Sequence, residues 1–137
     1  MNSREKGKRG ERQWRDELRA NGYHARRGQQ YAGNAESPDV ICDELSWIHF
    51  EVKSVERLNI EDAMEQARRD GGASRTGQQK TPVVAHHRSH RRWLVTIDTE
   101  TFFKFLRGEL PLQGTAPVAQ SSEHGKKPTE QPKQTEQ

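Results

Sequence analysis

Residues 47–54, WIHFEVKS, alternate strictly between two kinds of side chain. Ile48, Phe50 and Val52 are apolar, and the residues between them are aromatic, polar or charged. Side chains at positions i and i+2 of a strand point to the same face of a sheet. The pattern therefore predicts a β-strand with one apolar face and with a second face formed by Trp47, His49, Glu51 and Lys53.

Apolar periodicities on either side of this strand predict the other elements. Three-to-four-residue spacing predicts helices over residues 4–20, 59–70 and 98–107. Short β-rich runs predict further strands over residues 23–27, 38–43, 81–86 and 93–97. The resulting order, αβββαββα, predicts the α/β class, with a mixed central β-sheet flanked by helices.

Helix ends carry recognisable signals as well. Asn21-Gly22 predicts the end of the first helix, since glycine accommodates the left-handed conformation that often follows a helix. Asn59 is the predicted N-cap of the second helix, and either Asp98 or Thr99 is that of the third.

Composition limits the folded part of the chain to one small domain. The 137 residues are 29% hydrophobic and 31% charged, whereas globular domains average roughly 45–50% and about 25%. Residues 113–137 contain no aromatic side chain, so they cannot bury enough apolar area to offset the entropy of ordering. We predict a domain over residues 1–112 and a disordered C-terminal tail over residues 113–137. A core this small would gain from burial in a homodimer.

The chain has a single cysteine and no long apolar run. Cys42 alone excludes an internal disulfide framework and a multi-cysteine zinc site, and it is predicted to be a small buried hydrophobe. A reducing, cytoplasmic setting is therefore expected. No segment approaches the ~20 apolar residues of a membrane span, and the N-terminus lacks the apolar core of a secretory signal, so no membrane partner is expected.

Positive charge is concentrated in two clusters, although the net charge is only +3. Residues 1–30 contain nine Lys and Arg against four Asp and Glu, and residues 86–92 read HHRSHRR. Two separated basic clusters favour a polyanionic partner, nucleic acid before membrane, with ordinary solvated charge as the alternative. The candidate phosphate contacts are Lys6, Lys8, Arg9, Arg26 and Arg27.

Asp39, Glu51 and Lys53 form the candidate site. The strands at 38–43 and 47–54 are joined by a short connection, which predicts an antiparallel hairpin with Asp39 across the ladder at roughly 5 Å. Two carboxylates so close repel each other unless a cation lies between them, and oxygen ligands suit Mg²⁺ or Mn²⁺. A bound ion can polarise a phosphate and activate water, and a lysine can stabilise developing negative charge. The alternative is a surface Glu–Lys pair with an incidental aspartate.

Four sequence motifs, in chain order, resemble those of the PD-(D/E)XK nuclease superfamily. They are KGKRGER at residues 6–12, Pro38-Asp39-Val40, Glu51-Val52-Lys53-Ser54 and Gln66-Ala67. Within it, residues 4–106 are most similar to the archaeal-type Holliday-junction resolvases and their small phage-encoded relatives. This resemblance implies a restriction-endonuclease-like fold and a Mg²⁺-dependent endodeoxyribonuclease that leaves 5′-phosphate ends. It also implies branched DNA as substrate, a homodimer, Mn²⁺ as a substitute ion, and a prokaryotic or phage-infected host cell.

The resemblance implies a metal-binding role for four residues. Asp39 and Glu51 would be ligands through their carboxylates, and Val52 would be one through its backbone carbonyl. Glu11, which lies on the apolar side of the first helix, would bind the ion directly or through water. A nuclease of the same type used in restriction, repair or phage DNA processing is the alternative, as is a catalytically inactive DNA-binding module.

Two further catalytic roles follow from the same resemblance. Lys53 would be the water-positioning base or charge stabiliser, and Gln66 would position water or phosphate. An exposed helix glutamine is the alternative for Gln66. The loop at 28–37, GQQYAGNAES, is longer than the Ser/Gly-rich loop common in resolvases, and this departure bears on junction selectivity more than on the chemistry.

The remaining histidines and aromatic residues favour structural roles. Neighbouring histidines on a strand point to opposite faces, so His86, His87 and His90 are predicted to contact phosphate or to end a strand, before a transition-metal site. The core or a dimer interface is predicted for Trp47, Trp93, Phe102 and Phe103.

Overall fold

A computed structural model describes residues 3–28, 40–72 and 79–112. The helices are α1 (Ser3–Ala20), α2 (Ile60–Gly72) and α3 (Thr99–Leu106). The strands are β1 (Ala25–Arg27), β2 (Val40–Cys42), β3 (Ile48–Ser54), β4 (Thr81–His87) and β5 (Leu94–Thr96). The predicted mixed α/β class is confirmed. The predicted tail at 113–137 and residues 29–37 of the predicted loop lie outside the described residues.

The described strands form two sheets, which corrects the predicted pairing. β1 pairs antiparallel with β2, whereas β3 pairs in parallel with β4, and β4 pairs antiparallel with β5. The antiparallel hairpin predicted between residues 38–43 and 47–54 is therefore wrong for the described residues, and so is a single central sheet. The connection from β2 to β3 contains a short 3₁₀ helix, Asp43–Leu45, with a buried leucine. A tight hairpin would need a short Gly- or Asn-rich turn instead.

Polar contacts beyond the ladder hold β2 against β1. The backbone N–H of His24 donates to the Glu44 carboxylate at 2.9 Å, and the Arg26 guanidinium donates to Asp43 at 3.0 Å. Glu44 also binds the His24 imidazole. This side-chain hydrogen bond raises the pKa of His24 and lowers the pKa of Glu44 to about 2. These contacts favour the β1–β2 pairing because they hold the two strands together beside the Ala25–Cys42 end of the ladder.

Helices α1 and α2 cover opposite faces of the three-stranded sheet. Trp14 of α1 packs edge-on against Phe50 of β3, with ring centroids 5.6 Å apart. On the other face, Ala63, Met64 and Ala67 of α2 pack around Val84 of β4. The predicted alternation is confirmed within β3, where Ile48, Phe50 and Val52 pack on the α1 side and Lys53 contacts α2. Trp47, predicted on the polar face, instead packs against the cluster on the α1 side. The crossover from β3 through α2 to the parallel strand β4 forms a β-α-β unit.

The predicted helix ends are confirmed by their backbone contacts. Gly22 has a φ of 92°, just beyond the end of α1. The Asn59 side chain accepts a hydrogen bond from the backbone of Asp62 at 3.1 Å. Asp98 caps α3, where its carboxylate accepts from the backbone N–H of Thr101 at 2.9 Å. The N-cap residues Asn59 and Asp98 therefore determine where α2 and α3 begin.

Gly10 allows α1 to approach the end of β3. A Cβ placed on Gly10 would lie 2.9 Å from the Cβ of Ser54, whereas one on Gly7 meets nothing within 4 Å. Alanine normally stabilises a helix interior over glycine by about 1 kcal/mol. We expect Gly7→Ala to raise the thermal midpoint, and Gly10→Ala to destabilise the fold by about 1–3 kcal/mol through overpacking.

Thermal unfolding of the full chain, followed by circular dichroism, measures both glycine variants. Gly7→Ala is the matched control, because it changes helix propensity without adding a contact. A higher midpoint for both variants would contradict the close packing of α1 on Ser54.

Candidate active site

Three of the predicted site residues come together between β3 and α2. The Lys53 Nζ lies 3.6 Å from Glu51 Oε2 and donates a hydrogen bond to Gln66 Oε1 at 3.2 Å. The Glu51 side chain is only 5% exposed, whereas that of Lys53 is 29% exposed. The site therefore holds a buried carboxylate beside an ammonium group that reaches solvent.

The sequence explains why these three residues meet. Glu51 and Lys53 are two positions apart on β3, so they share the face covered by α2. Ala63 and Ala67 of α2 are almost fully buried, and their small side chains let the helix lie close to the sheet. Gln66 precedes Ala67 and so lies at the border of this packed face. The exposed-glutamine alternative for Gln66 does not fit, since its side chain contacts Lys53.

Two residues that the sequence-based prediction did not assign to the site, His49 and Asp70, lie beside Glu51. The His49 Nε2 is 3.6 Å from Glu51 Oε1, and the potential ligand atoms of His49, Glu51 and Asp70 all lie within 4.8 Å of one another. Sequence signals for both exist. His49 shares the polar face of residues 47–54, and Asp70 follows Gln66 by one helical turn.

Among the residues that the structure describes, His49 has a buried nitrogen without a hydrogen bond. Its side chain is 5% exposed, and no described group pairs with its Nε2. An unsatisfied buried polar atom costs about 1–3 kcal/mol, and such atoms are rare in folded proteins. The two oxygens of Glu51 are thus divided, with Oε2 facing the Lys53 ammonium and Oε1 facing this nitrogen.

Glu11 binds an arginine on the other side of the sheet. It lies on α1, and its Oε1 accepts a hydrogen bond from Arg27 Nε at 3.1 Å. The Glu11 side chain is 14% exposed, so the ion pair satisfies a largely buried carboxylate. The role of Glu11 toward an ion stays a prediction.

The contacts of the described residues do not decide whether Asp39 and Val52 bind a metal ion. Asp39 lies outside the described residues, directly before Val40, the first residue of β2. Val52 lies between Glu51 and Lys53 in β3, opposite Ala85 of β4. The assignments of the Asp39 carboxylate and the Val52 carbonyl stay predictions.

The predicted phosphate contacts differ in how they are engaged. Lys6 and Arg9 are exposed on α1, and Lys8 lies 4.0 Å from Glu5. Arg26 pairs with Asp43 and Arg27 with Glu11. Both arginines therefore have carboxylate partners. Of the five predicted phosphate contacts, the exposed cations of α1 are the more accessible to a phosphate group.

The second basic cluster lines a pocket of about 420 Å³ where β4 ends. Its charged and polar lining residues include Glu56, His86, His87, Arg88, Arg91 and Arg92. Glu56 accepts a hydrogen bond from the backbone of Ser89 at 2.8 Å. This hydrogen bond lowers the pKa of Glu56, and the charges of Arg88 and Lys6 lower it further. Lys6 of the first basic cluster and Arg88 of the second therefore both lie near Glu56.

Two histidines of this cluster, His86 and His87, have structural partners. His86 Nε2 lies 2.8 Å from Thr96 Oγ1, and burial lowers the pKa of His86. His87 Nε2 lies 3.0 Å from Ser54 Oγ, and its ring stacks on Trp93 at 4.1 Å. These contacts favour the predicted strand-end role over a transition-metal site.

Several predicted core residues are confirmed. Cys42 is buried in the first core cluster, and Trp47 and Trp93 pack against that cluster. Burial raises the pKa of the Cys42 thiol to about 11. Phe102 and Phe103 are instead 44% and 50% exposed. They are therefore not core residues, and a dimer interface stays the prediction for these two.

Comparisons of the chain with protein-family models, with curated proteins and with solved structures found no match. In the ranges that the structure describes, no helix is both long enough and apolar enough to cross a bilayer. The geometry between β3 and α2 and the charge at the end of β4 therefore carry the functional assignment.

Proposed function

We propose that the protein is a metal-dependent endodeoxyribonuclease with a restriction-endonuclease-like fold, and that it resolves Holliday junctions. The observation that carries this proposal is the contact of Lys53 with both Glu51 and Gln66. The resemblance to PD-(D/E)XK nucleases assigns catalysis to these same residues, and they are in contact although they come from two separate elements. DNA cleavage of this kind belongs in the cytoplasm of a prokaryote or of a phage-infected host cell.

The environment of Glu51 fits a divalent cation. Buried Glu51 and nearby Asp70 bring two carboxylates together, and a cation would offset their repulsion. Glu51 would hold Mg²⁺ together with Asp39 and the Val52 carbonyl, and Mn²⁺ would substitute. The ion would polarise the scissile phosphate and lower the pKa of a bound water.

Lys53 supplies positive charge where the reaction develops negative charge. Its ammonium has three N–H donors. One is given to Gln66, and the group also faces Glu51 Oε2. The partly exposed ammonium can therefore orient the attacking water and stabilise the charge on the phosphate in the transition state. Attack at phosphorus with loss of the 3′-oxygen leaves a 5′-phosphate end.

The position of the basic pocket supports DNA as the substrate. In the β3–β4 ladder, Lys53 is paired with His86 and Ser54 with His87. The basic pocket therefore starts at the strand position next to Lys53, and its arginines extend from there. A phosphate backbone held by these arginines would pass close to the proposed catalytic lysine.

The full chain, incubated with Mg²⁺ and a labelled four-way junction, tests the proposed function. A linear duplex of the same sequence is the substrate control, and EDTA is the metal control. We expect metal-dependent cutting of the junction and much slower cutting of the duplex. Equal cutting of both would exclude selectivity for the junction and favour the alternative of a nuclease used in restriction, repair or phage DNA processing. Binding of both substrates without any cutting would replace the proposal by an inactive DNA-binding module.

A homodimer is part of this proposal, and an exposed apolar surface supports it. Within the described sheet β5 is an edge strand, and its Leu94 and Val95 are more than half exposed. Helix α3 exposes four apolar side chains, Phe102, Phe103, Phe105 and Leu106. Apolar surface of this kind commonly mediates association, and a two-fold dimer supplies one site for each equivalent strand of a junction.

Val95→Glu is expected to convert the dimer to a monomer, because it places a charge on the proposed apolar interface. Light scattering of the purified chain at several concentrations measures the mass. Glu17→Lys, which changes an exposed charged residue of α1, is the control and should remain dimeric. A monomeric wild-type chain would contradict the dimer and leave the nuclease proposal unaffected.

A further inference from the structure

We infer that His49, Glu51 and Asp70 form a binding site for a divalent first-row transition metal, with a preference for such ions over Mg²⁺. The site shares Glu51 with the proposed nuclease centre, but it adds two ligands that the nuclease resemblance does not contain. It does not rest on the proposed function, because metal binding is measured without DNA.

The spacing of the ligand atoms suits a single ion. Ligands about 2.1 Å from one ion lie roughly 3 to 3.5 Å apart in tetrahedral or octahedral sites. The His49 Nε2 and Glu51 Oε1 are already 3.6 Å apart, and Asp70 completes a group whose members all lie within 4.8 Å of one another. Small side-chain adjustments would therefore bring all three to coordination distance.

The unpartnered nitrogen of His49 is an independent observation that points to a ligand. It is buried and has no hydrogen-bond partner within residues 3–28, 40–72 and 79–112. The Glu51 oxygen nearest to it, at 3.6 Å, is too distant for a hydrogen bond. Buried polar atoms without a partner call for an explanation, and a bound ion is a recognised one. An imidazole nitrogen aimed at two carboxylates is a common donor set for a metal.

Charge and packing support the same assignment. Glu51 and Asp70 bring two carboxylates together. The Lys53 ammonium lies near Glu51 Oε2, whereas Oε1 is the oxygen that faces His49. A divalent cation between the carboxylates would relieve their repulsion. Gly71, next to Asp70, holds the end of α2 against His49, because a Cβ there would lie 3.1 Å from the Cβ of His49. The backbone thus fixes Asp70 close to the imidazole.

The imidazole ligand determines which ion is preferred. Mg²⁺ takes oxygen ligands and gives up its water reluctantly, whereas Mn²⁺, Co²⁺ and Zn²⁺ accept nitrogen and oxygen together. The order of affinities for such a donor set places Zn²⁺ above Mn²⁺. We therefore expect Zn²⁺ to displace bound Mn²⁺ at a lower concentration than Mg²⁺ does.

Electron paramagnetic resonance of Mn²⁺ tests the site in the full chain, since free Mn²⁺ loses its signal on binding. We expect one Mn²⁺ per chain. His49→Gln and Asp70→Asn should each weaken Mn²⁺ binding about tenfold or more. Loss of a residue that only hydrogen-bonds to a metal ligand already lowers metal affinity by about this much, and loss of a ligand should cost at least the same. His49→Gln should also reduce the preference for Mn²⁺ over Mg²⁺. Asp62→Asn, an exposed carboxylate of the same helix, is the control, and circular dichroism verifies folding.

Three results would overturn the inference. They are a folded wild-type chain that binds no Mn²⁺, variants of His49 and Asp70 that bind like Asp62→Asn, and binding that only Asp39→Asn and Glu51→Gln weaken. The last would assign the ion to the nuclease ligands alone. Junction cutting in Mg²⁺ without Mn²⁺ binding at His49 would overturn this site but not the nuclease. Mn²⁺ binding at His49 without any junction cutting would support this site and contradict the nuclease proposal.

Discussion

Replacement of Lys53 by methionine is expected to slow DNA cleavage about 10²–10³-fold, the usual loss when one group that stabilises transition-state charge is removed. Methionine keeps much of the apolar stem but removes the ammonium that lies beside Glu51 and donates to Gln66. DNA affinity should change little, because the lysine acts on charge that develops only during the reaction. Single-turnover nicking of supercoiled plasmid in Mg²⁺ measures the rate.

Lys104→Met is the matched control for this experiment. Lys104 is an exposed lysine of α3 that pairs with Glu100 at 3.5 Å, so its loss removes one positive charge away from β3. Gln66→Ala should produce a smaller loss than Lys53→Met, because Gln66 acts by positioning the ammonium. Full activity of the Lys53 variant would remove the proposed catalyst.

Removal of Arg91 and Arg92 is expected to weaken DNA binding about tenfold or more at moderate salt. Each phosphate contact that is lost reduces the slope of log affinity against log salt by about 0.9, so the double alanine variant should reduce it by about 1.8. Both arginines line the basic pocket at the end of β4. Fluorescence anisotropy of a labelled junction, in EDTA to prevent cleavage, measures affinity across a salt series.

A second double variant distinguishes local contacts from net charge. Arg68 and Arg107 are paired with Asp98 and Glu109 and lie outside the pocket. Their replacement by alanine removes the same charge. If both double variants lost affinity and salt dependence equally, the pocket would not be the DNA contact, and the attraction would be a property of the whole surface.

Local sequence patterns predicted the parts of the fold that local physics determines. The alternation of β3 and the N-caps at Asn59 and Asp98 depend on residues a few positions apart, and the structure confirms them. The pairing of β2 was predicted wrongly because it depends on distant partners. Glu44 reaches His24 across 20 residues, and no short-range pattern encodes that contact.

The site shows the same division between local and distant information. The proximity of Glu51 to Lys53 follows from a two-residue spacing on one strand, and so it could be predicted. The partner of Glu11 could not, because Arg27 belongs to a different element. His49 was visible on the polar face of β3. Its lack of a partner becomes evident only once the end of α2 is packed over it.

The contacts described for Glu51 and Lys53 belong to the single crossover from β3 through α2 to β4. Lys53 contacts both Glu51 and Gln66, and His49 and Asp70 lie beside Glu51, all within this unit. The β1–β2 ribbon is a separate sheet, so its amide protons can exchange without disturbing the contacts of Lys53. The catalytic lysine and its partners can thus be inherited as one unit, whereas changes in the ribbon would act on the ion through the proposed ligand Asp39.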